Sequence, residues 1–422
     1  MSDRVASQAA WRGRVFLSAW TLYCGYYACR KDLGTTAISP LAVSLACFGA
    51  SYAVGQLTGG ILADRFGARR TALAGACISI SCTMLLAWCS HATIGLLLQL
   101  GNGLGQGFGW PALLKLIGEW FGRSERDRVL GWWSTSYILG GLLATSLTAW
   151  LVAHTGITAQ TGFHPAYLVS SAVLLCTTIF FYKETAGLPQ SPPINDTVPE
   201  SVQPQGCTKP WSRILRNNTI RVTSAMYFFL KMTRYTLLFW LPNYLISNLG
   251  YGTHAAAHTA SYFELSGFLG PLAIGYAAQR WFGQRRMALG ASILFALAFI
   301  CLLHPLLASA GSLGMILSIS LMGILIYGAD ILMSGIAVLD AVPKELHGRA
   351  TGFVNGVGSI GQALSPLLVT VYVSRLGWTR LFDLFVFFAL VAGAICAFGA
   401  HLQTHHTSPT NRSVLEPADL PL

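Results

Sequence analysis

Charge is what this sequence has least of. Only 10% of its 422 residues are charged, 53% are hydrophobic, and the mean hydropathy is +0.54. A globular chain of that composition would be insoluble in water, so its solvent is lipid and the chain is read as a membrane protein throughout. There is no Walker loop, no nucleophile elbow and no pair of carboxylates set for a soluble cleft, so neither an enzyme nor an ATP-driven pump is expected. The glycines from Gly101 to Gly109 do not make a nucleotide loop, which needs a preceding strand; in lipid they let helices approach closely. Ten cysteines look numerous. Most of them (Cys24, Cys29, Cys77, Cys82, Cys176, Cys301, Cys396) lie inside apolar runs, with no CxxC or metal-ligand spacing, and there they behave as small hydrophobes. No disulfide framework, metal or cofactor is expected. The formal charge of +11 could suggest nucleic acid, but the basic residues sit in short clusters between apolar stretches, where they act as topology signals. The stretch from Met1 to Arg14 is polar and leads into a span too long for a signal peptide, without a small-residue cleavage site after it, so the first helix is expected to be retained.

At about 20 residues per span, a chain of this length allows roughly twelve membrane helices. Apolar runs of that length fall at 14–37, 41–62, 71–90, 93–115, 128–152 and 163–182, then at 220–247, 256–278, 287–307, 311–339, 349–373 and 380–401. Between the sixth and seventh lies the long polar, proline-rich segment from Lys183 to Trp211, which reads as a disordered linker. The expected organisation is an N-terminal six-helix bundle over 1–182, a cytoplasmic linker over 183–215, a C-terminal six-helix bundle over 216–402 and a disordered cytoplasmic tail over 403–422. Basic clusters such as Arg65, Arg69 and Arg70, Arg123, Arg126 and Arg128, and Arg280, Arg285 and Arg286 follow even-numbered spans. The opposite loops hold no Lys or Arg except Arg375 and Arg380. Basic loops stay on the cytoplasmic side, so both termini are expected there.

The two halves also repeat. Gly60-Ile61-Leu62-Ala63-Asp64-Arg65-Phe66-Gly67-Ala68-Arg69-Arg70, after the second span, returns after the eighth as Gly275-Tyr276-Ala277-Ala278-Gln279-Arg280-Trp281-Phe282-Gly283-Gln284-Arg285-Arg286, with one extra residue. A short turn between helices uses its glycine for a tight bend, and its cations anchor to the inner leaflet.

Against this scarcity of charge, two spans carry cations at unusual depth. The first reads Tyr26-Tyr27-Ala28-Cys29-Arg30-Lys31 and the seventh Leu230-Lys231-Met232-Thr233-Arg234-Tyr235. An arginine within an apolar span costs at least about 2.5–3.5 kcal/mol on insertion scales, so it faces a watery cavity or a partner. A single one is readily structural, by snorkelling or by pairing with a buried carboxylate. One per half of the chain points to a site for an anion.

The turn pattern GxxxDRxGxRR resembles the signature of the major facilitator superfamily, in which two six-helix halves rock about a central site. Within it, the chain resembles the organophosphate:phosphate antiporters, which include glycerol-3-phosphate, hexose-phosphate and glucose-6-phosphate carriers. The likeness rests on Tyr26 to Lys31, on Gly105-Gln106-Gly107-Phe108-Gly109-Trp110-Pro111, on Tyr235-Thr236-Leu237-Leu238-Phe239-Trp240-Leu241-Pro242 and on Gly358-Ser359-Ile360-Gly361-Gln362-Ala363-Leu364-Ser365-Pro366. The resemblance implies an all-α fold of twelve transmembrane helices, with Arg30 and Arg234 gripping a phosphoryl group mid-membrane. The chemistry agrees, because a phosphate monoester carries about −1.5 to −2 charges and guanidinium forks bind it through planar, bidentate donors.

The same resemblance nominates Tyr23, Tyr27, Tyr52, Tyr137 and Tyr327 as polar contacts around the substrate, with Lys231 as a third cation. Two positions depart from the bacterial carriers: Gln56 stands for a lysine, and Tyr137 for a histidine of the glycerol-phosphate carriers. Glu264 matches an acidic position, with Lys31 or Lys231 as its expected partner across the halves. Asp64, Arg65, Lys31, Glu264 and Asp330 are assigned to gating or coupling. Asp330, without a family counterpart, is read as a partner of Lys231 or as a proton site. The resulting expectation is a multi-pass carrier of the bacterial inner membrane, monomeric and without nucleic-acid partners, exchanging a sugar phosphate or similar ester for inorganic phosphate. The alternatives are a transporter-like sensor of external hexose phosphate that signals to a membrane kinase, and a proton-coupled carrier of organic anions or drugs.

Overall fold

A computed structural model of the chain describes residues 2–31, 41–155, 165–187, 209–282 and 285–406, and among these there are helices and turns but no strand. The first half contains α1 (Ser2–Lys31), α2 (Leu41–Phe66), α3 (Ala68–Leu86), α4 (Ala92–Trp120), α5 (Arg123–Thr155) and α6 (Pro165–Thr185). The second contains the short α7 (Pro210–Arg216), α8 (Asn218–Leu249), α9 (Thr253–Gly267), α10 (Leu269–Ala277), α11 (Arg286–Ser309), α12 (Ser312–Ile331), α13 (Ala337–Ala341), α14 (His347–Leu376) and α15 (Leu381–His406). By length and apolarity alone, α2, α6, α11, α12 with α13, α14 and α15 can each cross a membrane. Of the rest, α7, α9 and α10 are short, and α1, α3, α4, α5 and α8 carry more polar residues. Residues 32–40 after the first span, 188–208 of the expected linker and 407–422 of the expected tail lie outside the described residues; α7 occupies the end of the linker segment.

Helix ends follow local chemistry. The side chain of Asn217 accepts the backbone N–H of Ile220 at 3.2 Å and so caps α8, and Gly250 ends that helix in the left-handed region at φ 69°. Gly67 joins α2 to α3 at φ 93°, a conformation costly for any residue with a Cβ, which is why the turn motif needs glycine there. Its counterpart Gly283 lies outside the described residues. Two spans expected to be continuous are interrupted. The eighth divides at Phe268 into α9 and α10, because Pro271 has no N–H to give the carbonyl of Gly267 four residues earlier, and it ends in a π-helical turn, Ala278–Phe282. The tenth passes through a second π-helical turn, Leu332–Ile336, between α12 and α13.

Within the first half α4 packs on α2 and α3, and α1 on α5 and α6; within the second, α8 packs on α14 and α15, and α11 on α12 and α15. The halves meet where α2 runs along α14 and α5 along α10. The α2–α14 seam is close because glycine lines it. A Cβ added at Gly60 would sit 2.3 Å from the carbonyl oxygen of Gly348, one at Gly352 2.4 Å from that of Gln56, and one at Gly49 2.8 Å from the Ala363 Cα. Small residues are the common means of bringing helices together where the solvent gives no hydrophobic drive. No disulfide joins the described cysteines.

Candidate functional site

Arg30 on α1 and Arg234 on α8 both lie in the interior between the halves, 2% and 3% exposed. Arg30 donates its Nε to Gln106 Oε1 at 2.9 Å and its Nη1 to the Tyr27 hydroxyl at 3.1 Å. Gln106 is held in turn by donating to Asn102 Oδ1 at 3.0 Å, which also accepts from Ser79 at 2.6 Å. The QGxGWP stretch therefore earns its place on α4 by orienting an arginine of α1. The guanidinium of Arg30 also lies 4.5 Å from the Tyr27 ring centroid and 4.6 Å from that of Tyr52, and cation–π attraction is strongest where, as here, water is excluded.

Arg234 sits in a similar aromatic cage, 4.9 Å from the Tyr137 ring and 4.6 Å from Tyr327. Tyr137 stacks on both Tyr27 and Tyr327, at 5.9 and 5.8 Å, so a column of aromatic rings joins the surroundings of the two arginines. Arg234 has an anionic partner, which Arg30 lacks among the described residues. Its Nη1 bonds Asp330 Oδ2 at 3.0 Å, and the same carboxylate accepts from the hydroxyls of Tyr137, at 3.0 Å, and Tyr227. Lys231 donates to Ser359 Oγ at 2.8 Å and reaches the Asn355 carbonyl at 3.5 Å, with its ammonium 5.5 Å from the Tyr52 ring. The expected pairing of Asp330 with Lys231 is thus corrected: Arg234 takes the carboxylate, and Lys231 is held by α14.

Three buried groups here retain polar atoms without a hydrogen-bond partner: Nη2 of Arg30, Nε of Arg234 and both amide atoms of Gln56. Buried polar atoms are seldom left so, and the N–H donors among them, from two arginines and the Gln56 amide nitrogen, fit an anionic ligand with several acceptor oxygens.

Of the residues nominated from sequence, Arg30, Arg234, Lys231, Tyr27, Tyr52, Tyr137 and Tyr327 come together in this cluster, and Gln56 is fully buried on the adjoining α2. Tyr23 lies at its edge, packed on Trp110 and Trp133 at 5.5 and 5.0 Å. Glu264 is half-buried on α9 and interacts electrostatically with Tyr327. The side chain of Lys31 lies outside the described residues. Arg65 is exposed, stacked on the neighbouring Phe66 at 5.3 Å. Residues that the sequence did not single out as contacts are Gln106, Tyr227, Ser359 and Asn355. Tyr227 had a usable signal, standing four residues before Lys231 and seven before Arg234 on one helical face.

Above and below this centre the halves close in different ways. At the end of the bundle where α1 begins and α15 ends, Asp64 Oδ1 and Oδ2 accept the backbone N–H groups of Gly348 and Arg349, each at 3.0 Å, and Lys115 reaches Asp64 at 3.1 Å and the Lys344 carbonyl at 3.2 Å. Crossed ion pairs join α5 to the second half: Arg126 with Asp340, and Arg286 with Asp127 at 2.5 Å. Gln279, which occupies the Asp64 position of the repeat, accepts from Arg128 at 2.7 Å and donates to the Ser124 carbonyl. The two copies of the motif therefore make pseudo-symmetric clasps, each reaching the start of a helix in the other half. Towards the opposite end, among the described residues, an apolar contact joins the halves: Leu45, Phe48 and Tyr52 of α2 pack against Phe239 of α8.

A helical membrane protein of two bundles, with paired cations enclosed between them and two pseudo-symmetric clasps at one end, has the build of an alternating-access carrier. The chain belongs to the Major Facilitator Superfamily, whose family model matches residues 15–270 and 224–420. Its curated relatives include sugar phosphate exchanger 3 of Bos taurus, 27% identical over 379 residues that cover 80% of this chain and 74% of the relative. They also include the glycerol-3-phosphate transporter of Bacillus subtilis, 25% identical with 90% of each chain covered, and the membrane sensor protein UhpC of Salmonella typhimurium, 26% identical with 90% of this chain and 88% of the relative covered. These relatives bear out the resemblance to the organophosphate:phosphate antiporters. Among solved structures, the proton:xylose symporter XylE superposes with a TM-score of 0.73 at 12% identity, over 96% of each chain, a likeness of fold.

Proposed function

We propose that this protein is a secondary carrier that exchanges a phosphorylated small metabolite, a sugar phosphate or similar ester, for inorganic phosphate by alternating access. The observation that carries the reading is the enclosure of Arg30 and Arg234, one from each half, with unpartnered guanidinium nitrogens among aromatic hydroxyls. The names of the relatives, which include a sugar phosphate exchanger and a glycerol-3-phosphate transporter, support the substrate class. Exchange also suits the electrostatics. A dianion moving alone works against the membrane potential at about 2.3 kcal/mol per charge per 100 mV, and a phosphate moving the other way cancels most of that. The protein catalyses no chemical step and acts as a monomer. The distribution of Lys and Arg supports a cytoplasmic position for the clasped end and both termini, and the membrane assigned in this reading is a bacterial inner membrane.

The test is uptake of labelled phosphate esters into proteoliposomes loaded with inorganic phosphate. Saturable exchange that Arg30→Ala and Arg234→Ala each abolish supports the reading; uptake indifferent to internal phosphate sinks it. A second reading, a sensor of external hexose phosphate coupled to a membrane kinase, is favoured by the similarity to UhpC along nearly the whole chain. Tight hexose-phosphate binding without exchange would select it.

A further inference from the structure

The centre contains one group that binding a phosphoryl anion does not call for: a buried carboxylate. Asp330 is 1% exposed, and its oxygens are shared among three donors, Arg234, Tyr137 and Tyr227. Arg30, by contrast, has only neutral partners among the described residues, Gln106 and Tyr27. Among the described residues the two arginines are therefore unequal: Arg30 meets neutral groups, and Arg234 already holds an anion belonging to the protein.

Burying Arg234 without a counter-charge would be expensive, so pairing alone is the first account to consider. The geometry goes further than pairing requires. The strongest arginine–carboxylate contact is a bidentate fork. Here Arg234 gives a single Nη1 bond and keeps Nε unpartnered, while the carboxylate spends its other acceptor sites on two phenols. An anion held in this way can give up the guanidinium and still be solvated by two hydroxyls. Tyr227, one of the two, has the Lys231 ammonium 5.0 Å from its ring, so a cation remains close by after the exchange of partners.

We propose that Asp330 is a displaceable counter-anion that competes with the substrate for Arg234, and that this competition sets the affinity of the site and its preference for doubly charged phosphoryl groups. The proposal rests on the function proposed above. A singly charged ligand that takes Arg234 from Asp330 replaces one single negative charge by another and gains little. A phosphoryl group of about −1.5 to −2 charges gains from the swap. Competition also keeps binding weak enough for release, which turnover requires.

The experiment uses the full chain in phosphate-loaded proteoliposomes, with labelled inorganic phosphate as the reporter. Glucose 6-phosphate and glycerol 3-phosphate serve as competitors, each alongside its singly charged sulfate ester. In the native protein the sulfate esters should compete at least about tenfold more weakly than the phosphates, as loss of a charge-assisted contact implies. Asp330→Asn should lower the KM for phosphate about tenfold, lower the maximal rate, and narrow the gap between phosphate and sulfate esters. Tyr227→Phe should do the opposite to KM. It leaves the carboxylate in place but removes a donor that would hold it after displacement, so KM should rise about threefold to tenfold.

Opposite signs for the two variants distinguish competition from a merely structural pair, whose disruption would impair both alike. A raised KM in Asp330→Asn, or an undiminished preference for phosphate over sulfate esters, overturns the proposal. Where Asp330→Asn does not fold, Tyr227→Phe and Tyr137→Phe decide, and an unchanged or lowered KM in both overturns it. A native protein that exchanges no phosphate at all refutes instead the carrier reading on which the proposal stands.

Discussion

The carboxylate of Asp64 accepts the backbone N–H of Gly348 at 3.0 Å, so a helix start in one half of the molecule is capped by an anion from the other. The contact answers the positive end of the α14 dipole and two amides that have no partner within their own helix. It must break each time the clasped end opens.

Replacing Asp64 by Asn removes the charge that Lys115 and Arg349 share, at 3.1 and 3.6 Å, and leaves Lys115 with Glu119 at 3.3 Å as its remaining carboxylate. Loss of a buried ion-pair partner costs about 3–5 kcal/mol where nothing compensates, and Glu119 offsets part of that. Phosphate exchange should fall about tenfold or more, and the amides of Gly348 and Arg349 should exchange hydrogen faster. Unaltered amide protection would count against the clasp.

Arg30→Lys and Arg234→Lys keep the charge and lose the fork. Lysine has no Nε–H to give Gln106, so the α1 substitution also frees an amide that now orients the cation. Each substitution should reduce kcat/KM for phosphate by about tenfold or more, as loss of hydrogen bonds to a charged group implies. Parity with the native protein would mean that charge alone suffices.

Gln106→Leu tests the orientation of Arg30 without touching either cation. Removing the acceptor at 2.9 Å leaves the guanidinium with the Tyr27 hydroxyl as its one hydrogen-bond partner among the described residues. The KM for phosphate should rise about fivefold to fiftyfold, in keeping with a hydrogen bond to a charged group, while the variant stays folded and inserted. Gln106→Glu should be worse, since it supplies Arg30 with a carboxylate of its own.

Gly60→Ala places a Cβ 2.3 Å from the Gly348 carbonyl oxygen, and that is backbone, which cannot swing aside. The clasped end should no longer close, and exchange should be lost although Gly60 touches no substrate. Gly13→Ala, with nothing within 4 Å of the added atom, should be silent and serves as its control.

Hydropathy located the described membrane helices to within a few residues, except that α1 begins at Ser2, well before the expected start at 14, because lipid imposes apolar length on each span but does not stop a helix from running on into water. The break at Phe268 was foreshadowed by Pro271. The π-turn after Asp330 was not, since one extra residue in a continuous apolar run leaves no trace in composition. Arg30 and Arg234 were legible because charge is so rare in such spans. The partner of Asp330 was not legible: Lys231 and Arg234 stand three residues apart on one face of α8, and only the rotation of that helix against α12 chooses between them. Gln106 stood in view within its motif, but the hydrogen-bond partner of an amide depends on how α4 meets α1, which spacing along one helix cannot tell. The glycine and cations of the turn repeat announced a tight bend at the membrane surface; that each copy grips the opposite half became visible only in three dimensions.

The tenth span bears a carboxylate near its middle, Asp330 on Arg234, and another close to its tip, Asp340 against Arg126 and Arg286, about 15 Å apart at helical rise, with the Leu332–Ile336 π-turn between them. A single spindle thus runs from the place where cargo is weighed to the latch that must give way. The looser coil in its shaft is where rotation can be taken up, so stiffening that turn by one deleted residue would swing Asp340 about 100° away from its arginines while leaving Asp330 seated.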